Sequence, residues 1–226
     1  MKEISLFMEN TALPYLKKFL LVYVGVILLH TLLYHWNFNE HLSGILILST
    51  LISILILMRL HRSRTKLFMS YGGYNRIRLL PIRKHTFLIS ELLFVFSTYA
   101  GLFAALNIGW IIYALLKGPA FPIQNNTYYF LMLSGDFTAH FAPLHPMTLL
   151  TYFLMMLTLT CMTCTIMISK NNDFMNLIFT YFAMSLPFII LSVNFIQYYT
   201  VVLAAFLPIH IWLLYKYFYR KGGLSK

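Results

Sequence analysis

The chain has 226 residues, of which 60% are hydrophobic and 10% are charged, and its formal net charge is +11. A soluble domain has roughly 25% charged residues, so this composition excludes a water-soluble fold and indicates a protein embedded in a bilayer. The positive charge does not indicate nucleic-acid binding, because the basic residues lie beside apolar segments and do not form a groove-binding face.

Six segments, taken in chain order, are apolar over the roughly 20 residues that a helix needs to cross the hydrocarbon core. We therefore predict an all-α polytopic membrane protein with a single transmembrane domain. The first apolar segment has no small-residue cleavage site, so it is interpreted as a retained anchor and not as a signal peptide. The predicted spans are residues 18–36, 42–60, 87–116, 147–169, 174–192 and 196–215.

The distribution of Lys and Arg predicts the orientation of these spans. With the N-terminus inside, 16 of the 17 Lys and Arg residues face the cytoplasm and only Lys117 faces outward. Basic residues are enriched in cytoplasmic loops. Both termini and the loop 59–86 are therefore expected in the cytoplasm, the loop 117–146 is expected outside, and the protein is expected in the cell membrane.

The cytoplasmic loop carries the most informative local pattern. Apolar and aromatic residues alternate with basic ones around Gly72-Gly73, which could be a short helix interrupted by a turn. Pro81 marks a break before the third span. Topology alone would not need aromatic residues among these charges, although basic residues here could also simply contact anionic lipid.

The phrase Leu80-Pro81-Ile82-Arg83-Lys84, followed by an apolar run from Phe87, resembles the permeases of the type 2 ABC-exporter family. In that family a short cytoplasmic coupling helix lies between spans two and three and is followed by Leu-Pro-(Val/Ile)-Ser-Arg. The chain departs from the family at Glu91, where a lysine is common. Its link between spans five and six is also short, and its long external link follows span three.

The resemblance implies a transport subunit without an ATPase of its own, and no phosphate-binding GxxxxGK[ST] motif occurs in the chain. Two copies of a separate ABC ATPase subunit would carry ATP and Mg²⁺, and no cofactor is expected on this chain. A second copy or a related permease would complete the path for a peptide, lipid-like molecule or drug, in a bacterial cell membrane. The ATPase-coupling residues would be Lys66, Tyr71, Gly72, Gly73, Tyr74, Arg76, Arg78, Pro81, Arg83 and Lys84.

Within the spans, Glu91 is an acid near the start of the third span, and ionisable residues at such depth are functional candidates. We expect it to pair with Arg83, Lys84 or Lys170, or else to reach the interface. Pro187 and Pro208 are candidate hinges, because proline removes a helix hydrogen bond and favours a kink.

Two alternatives to an exporter stay open at this point. Cys161 and Cys164 share a helix face near several methionines, and soft sulfur ligands suit Cu(I) in a metal transporter, although Cys and Met are also ordinary packing residues. Five histidines expected at or beyond the outer interface could form an external metal or hydrolase site with Asp136 and Glu40: His30, His35, His41, His140 and His145. The spacing of Asp136, His140 and His145 does not match the zincin signature, and no Gly-x-Ser-x-Gly elbow is present.

Overall fold

The computed structural model describes residues 2–35, 42–70, 84–117, 146–168 and 196–219, and all of them are α-helical. The predicted all-α class is therefore confirmed for this part of the chain. The helices are α1 (Lys2–His35), α2 (Leu42–Ser70), α3 (Lys84–Lys117), α4 (Pro146–Ile168) and α5 (Ile196–Tyr219).

Three of these helices are long and apolar enough to cross a membrane, judged by length and composition. They contain the segments Tyr15–Leu33, Phe87–Tyr113 and Leu150–Met167, and α5 contains a shorter apolar segment, Leu203–Lys216. This arrangement fits a helical membrane protein. The predicted fifth span, residues 174–192, lies outside the described residues.

Two helices extend about ten residues or more beyond the spans predicted for them. Helix α1 begins at Lys2, well before the predicted start of span one near Lys18. Helix α2 continues past Leu60 to Ser70, so the first part of the predicted loop 59–86 is helical. Residues 61–70 contain no Gly or Pro to break the helix, and Arg and Lys are good helix formers.

Helices α2, α3 and α5 pack around α4, where every residue from Thr158 to Ile166 is buried. Helix α4 contacts α2, α3 and α5, while α1 packs mainly against α3 and α2. The buried residues of the five helices form one core that includes Leu57, Tyr99, Leu102 and Ile166. Helix α1 is therefore linked to the rest of the bundle through α3 and α2.

Small residues on α3 allow α1 to approach closely. Gly101, Ala105 and Gly109 are spaced four residues apart and so share one helix face. A Cβ atom on Gly101 would lie 2.9 Å from the Tyr23 ring, and one on Gly109 would lie 3.2 Å from the Ile27 carbonyl oxygen. Membrane helices often associate through such small-residue faces.

Candidate functional site

A buried ion pair joins α2 to α3. The guanidinium of Arg64 binds the carboxylate of Glu91 in a bidentate manner: Nη1 donates to Oε1 at 3.1 Å, and Nη2 donates to Oε2. Arg64 is 3% exposed and Glu91 is 7% exposed. Each charge thus has its opposite at hydrogen-bond distance in a place that water does not reach, which is the condition for burying either of them.

Helical periodicity explains how two apolar helices present these charges to each other. On α2, Leu57, His61 and Arg64 are three or four residues apart and all are buried. On α3, Glu91 follows Phe87 by four residues on the same buried face. Arg64 meets Glu91 because α2 stays helical beyond its apolar segment and keeps this face turned to α3.

His61 lies beside the ion pair and makes a second link to α3. Its Nε2 lies 2.8 Å from Thr98 Oγ1, while that hydroxyl donates its hydrogen to the Val95 carbonyl oxygen at 2.7 Å. This geometry assigns Nε2 as the donor and Thr98 as the acceptor. Since a second buried positive charge beside Arg64 would be costly, the ring is neutral. Its Nδ1 has no hydrogen-bond partner among the described residues.

Aromatic rings enclose the polar groups and bring in α1. The Arg64 guanidinium lies over the Phe94 ring at 4.7 Å, and the Phe19 ring lies 4.9 Å from the His61 ring and 5.8 Å from that of Phe94. A cation over an aromatic face is stabilised by the electrostatics of the ring. We name this group of residues the Arg64 cluster: Phe19, His61, Arg64, Glu91, Phe94 and Thr98.

Two further hydrogen bonds tie neighbouring parts of the bundle to the same region. The Tyr23 hydroxyl of α1 donates to the Thr98 carbonyl oxygen at 2.8 Å. The Tyr99 hydroxyl lies 2.7 Å from Thr163 Oγ1 of α4. Hydrogen bonds between membrane helices contribute about 0.6 kcal/mol each on average. These two bonds add to the packing that holds α1 and α4 against α3.

The chemistry available to the Arg64 cluster is electrostatic and mechanical. Its one acid is held by a guanidinium, and the Thr98 hydroxyl donates to the Val95 carbonyl oxygen, so His61 Nε2 is not placed to take its proton. Among the described residues, no group of three or more His, Cys, Asp or Glu side chains is placed to hold a metal ion. The arrangement is suited to holding three helices in one geometry.

Glu91 was predicted to pair or to reach the interface, and it pairs. Among the described residues its partner is Arg64, which we did not name; Arg83 and Lys170 lie outside the described residues. Arg64 was not named because residues 59–66 were expected to be a basic extension of span two, and their packing against α3 was not predicted. The usable signal was the spacing of Arg64 from Leu57, seven residues along a continuous helix.

The predicted coupling residues fall mostly outside the described part of the chain. Lys66 is exposed on α2, and Lys84 is the first residue of α3. The remaining residues of that set lie between the two helices and outside the described residues: Tyr71, Gly72, Gly73, Tyr74, Arg76, Arg78, Pro81 and Arg83.

The other predicted candidates are distributed through the bundle. Pro208 lies inside α5, which continues through it, and Pro187 lies outside the described residues. Cys161 and Cys164 are buried in α4. The residues of the external His/Asp group, Asp136, His140 and His145, also lie outside the described residues.

No protein-family model, curated protein sequence or solved structure matches this chain. The likeness to ABC-exporter permeases therefore depends on residues 80–84 and on the plan of spans around them. What the structure adds is the geometry at the ends of α2 and α3, the two helices that flank that segment.

Proposed function

We propose that this chain is the membrane-spanning permease subunit of an ABC exporter, driven by a separate ATPase subunit. It would cross the membrane six times with both termini in the cytoplasm, pair with a second copy or a related permease, and engage two ATPase subunits that bind ATP and Mg²⁺. The cargo would be an amphipathic or hydrophobic molecule leaving the cell.

One observation supports the proposal: the two helices that flank the segment 71–83 are joined to each other by an ion pair. Helix α2 ends at Ser70 and α3 begins at Lys84. The Arg64–Glu91 pair lies six residues before Ser70 and seven residues after Lys84, so it connects the two helices at matched distances from the segment. A segment that an ATPase subunit displaces can transmit the movement into the membrane only if its flanking helices are rigidly joined.

A movement of the segment 71–83 would then displace α2 and α3 together. If the two helices could slide independently, the same movement would be absorbed at their ends and would not reach the membrane interior. The bidentate geometry of Arg64 and Glu91 resists sliding, because displacing either partner breaks two charge-assisted hydrogen bonds at once. Phe19 and Tyr23 extend the moving unit to α1.

The experiment that tests the proposal is co-expression with an ATPase subunit encoded next to this chain and carrying a phosphate-binding loop. The proposal expects the ATPase to co-purify with the wild-type chain. An Arg76→Ala/Arg78→Ala variant should lose that association, while a matched control, Arg220→Ala/Lys221→Ala, removes two cations elsewhere and should keep it. A chain that never associates with a nucleotide-hydrolysing subunit would refute the proposal.

A further inference from the structure

One face of α3 lies against no other described helix. Helix α3 packs on α1, on α4 and, less extensively, on α2. Its remaining face is exposed along most of the apolar segment. The exposed residues recur at intervals of three, four or seven positions and so share one side of the helix: Ile89, Leu93, Ser97, Ala104, Ile108 and Ile111.

The middle of this face is shallow. Ser97 and Ala104 are exposed, and Ala100 between them is half-buried, while the larger Leu93 and Ile111 lie on either side along the helix. Small residues allow the backbone of a second membrane helix to come close. Lipid acyl chains can cover a shallow face as well, so a further feature has to decide what lies against it.

Asn107 is that feature. It follows Ala104 by three residues on the same side of α3 and is half-buried. Its Nδ2 donates one hydrogen bond, to the Phe103 carbonyl oxygen at 2.8 Å. Among the described residues, none donates a hydrogen bond to its Oδ1 and none accepts its second Nδ2 hydrogen.

The depth of Asn107 makes these open hydrogen-bonding positions costly. It lies six residues before Tyr113, where the apolar segment Phe87–Tyr113 ends, or about 9 Å inside that segment at 1.5 Å per residue. Polar groups at such depth cannot bond to water and have to be satisfied by protein. Lipid acyl chains have no donor or acceptor, so lipid alone does not suit this face.

A second copy of the same face supplies the missing groups. The amide of Asn107 has both an acceptor and donors, so two such side chains that meet across a two-fold axis exchange hydrogen bonds. A two-fold interface also requires that one patch fit itself, and the small residues beside Asn107 permit that approach. The exposed members of the face carry no charge that would favour an acidic or basic partner.

We infer that α3 forms the contact between two copies of this chain, with Ala104 at the closest approach and the Asn107 amides bonded across the axis. The inference rests on the proposed function and identifies where its second permease lies. Helix α3 also carries Glu91, the partner of Arg64. A movement of α2 and α3 together would therefore change the contact between the two copies.

The first test is oxidative cross-linking of the full-length chain in liposomes, without an ATPase subunit. Ala104→Cys keeps Asn107 and should give a disulfide-linked dimer on a non-reducing gel. The wild-type chain, whose Cys161 and Cys164 are buried, should stay monomeric on the gel. The matched control Leu21→Cys, on the exposed face of α1, should do the same. Cross-linking of Leu21→Cys but not of Ala104→Cys would overturn the inference.

The second test measures dimerisation by energy transfer between donor-labelled and acceptor-labelled copies at decreasing protein-to-lipid ratios. Asn107→Leu should weaken dimerisation by about tenfold, and Asn107→Gln, which keeps an amide, should weaken it less. Unchanged dimerisation in Asn107→Leu overturns the inference. If this variant lowers only the thermal stability of the monomer, another part of the same chain holds the amide and the inference also fails.

These outcomes are distinct from failure of the proposed function. A chain that dimerises through α3 but never associates with an ATPase subunit would refute the exporter and leave the α3 contact in place. A chain that binds the ATPase subunit but fails both tests would refute only the α3 contact.

Discussion

Burial determines what the charges of the Arg64 cluster contribute. An exposed ion pair contributes little to stability, because water solvates both partners well. Arg64 and Glu91 are almost completely shielded from solvent, so each depends on the other for its solvation. Removing one partner leaves the other charge buried without compensation, whereas replacing both with apolar residues leaves no buried charge.

The first prediction concerns this asymmetry. Glu91→Gln should lower the free energy of unfolding by about 3 kcal/mol or more, because Arg64 would be left buried and unpaired. The double replacement Arg64→Met/Glu91→Leu should be close to neutral. Denaturant unfolding in detergent measures both, with the exposed Lys66→Gln as the control. A Glu91→Gln protein as stable as that control would show that the pair is solvated.

The second prediction concerns Thr98, which accepts the hydrogen bond from His61. Thr98→Val should destabilise the protein by about 1–3 kcal/mol, because it leaves the buried Nε2–H without an acceptor. Thr160→Val is the control. Thr160 is also buried, but its hydroxyl donates to the Met156 carbonyl oxygen in its own helix, so its replacement leaves no other side chain without a hydrogen-bond partner. Equal losses in the two variants would contradict the hydrogen bond between His61 and Thr98.

At the scale of helices, the sequence predicts where apolar segments lie better than how they meet. The segments Tyr15–Leu33, Phe87–Tyr113 and Leu150–Met167 agree closely with predicted spans, because length and hydropathy alone determine whether a helix can cross a bilayer. The end of α2 was not predictable in this way. Charge marks where a span leaves the membrane, but the helix itself ends only where something breaks it.

Pairing between helices escaped the sequence analysis for a related reason. Apolar side chains are satisfied equally well by lipid or by another helix, so hydropathy does not show which face is buried. The useful signal was the spacing of Gly101, Ala105 and Gly109, which gives α3 a shallow face for α1. The partner of Glu91 was missed likewise, since it required both the helical extension of α2 and its packing against α3.

The third prediction tests the close approach of α1 and α3. A methyl group at Gly109 would meet the Ile27 carbonyl and the His30 Cβ at 3.2 Å, so backbone must move. Gly109→Ala should destabilise the protein by about 1–3 kcal/mol. Gly25→Ala is the matched control, because its Cβ would meet nothing within 4 Å and alanine favours the helix by up to about 1 kcal/mol. Thermal unfolding in detergent compares them, and similar losses would refute the close contact.

At the scale of the molecule, the described helices fall into a tied group, α1 to α3, and a second pair, α4 and α5. The Arg64 cluster and the small face of α3 hold α1, α2 and α3 together. Helix α4 packs on α2, α3 and α5, and the Tyr99–Thr163 hydrogen bond links it to α3. Under the proposed function, force on the segment 71–83 moves the tied group against α4, so the ion pair matters for coupling as well as for folding.

The fourth prediction separates these two roles of the ion pair. Arg64→Met/Glu91→Leu should fold and bind the ATPase subunit, but without the bidentate link α2 and α3 can slide, so cargo moved per ATP hydrolysed should fall by about tenfold or more. The charge-swapped Arg64→Glu/Glu91→Arg keeps an ion pair and should retain more of the coupling. Transport and ATP hydrolysis are measured together in proteoliposomes. If the apolar variant couples as well as the wild-type chain, the pair serves stability alone and the moving unit must be held by other contacts.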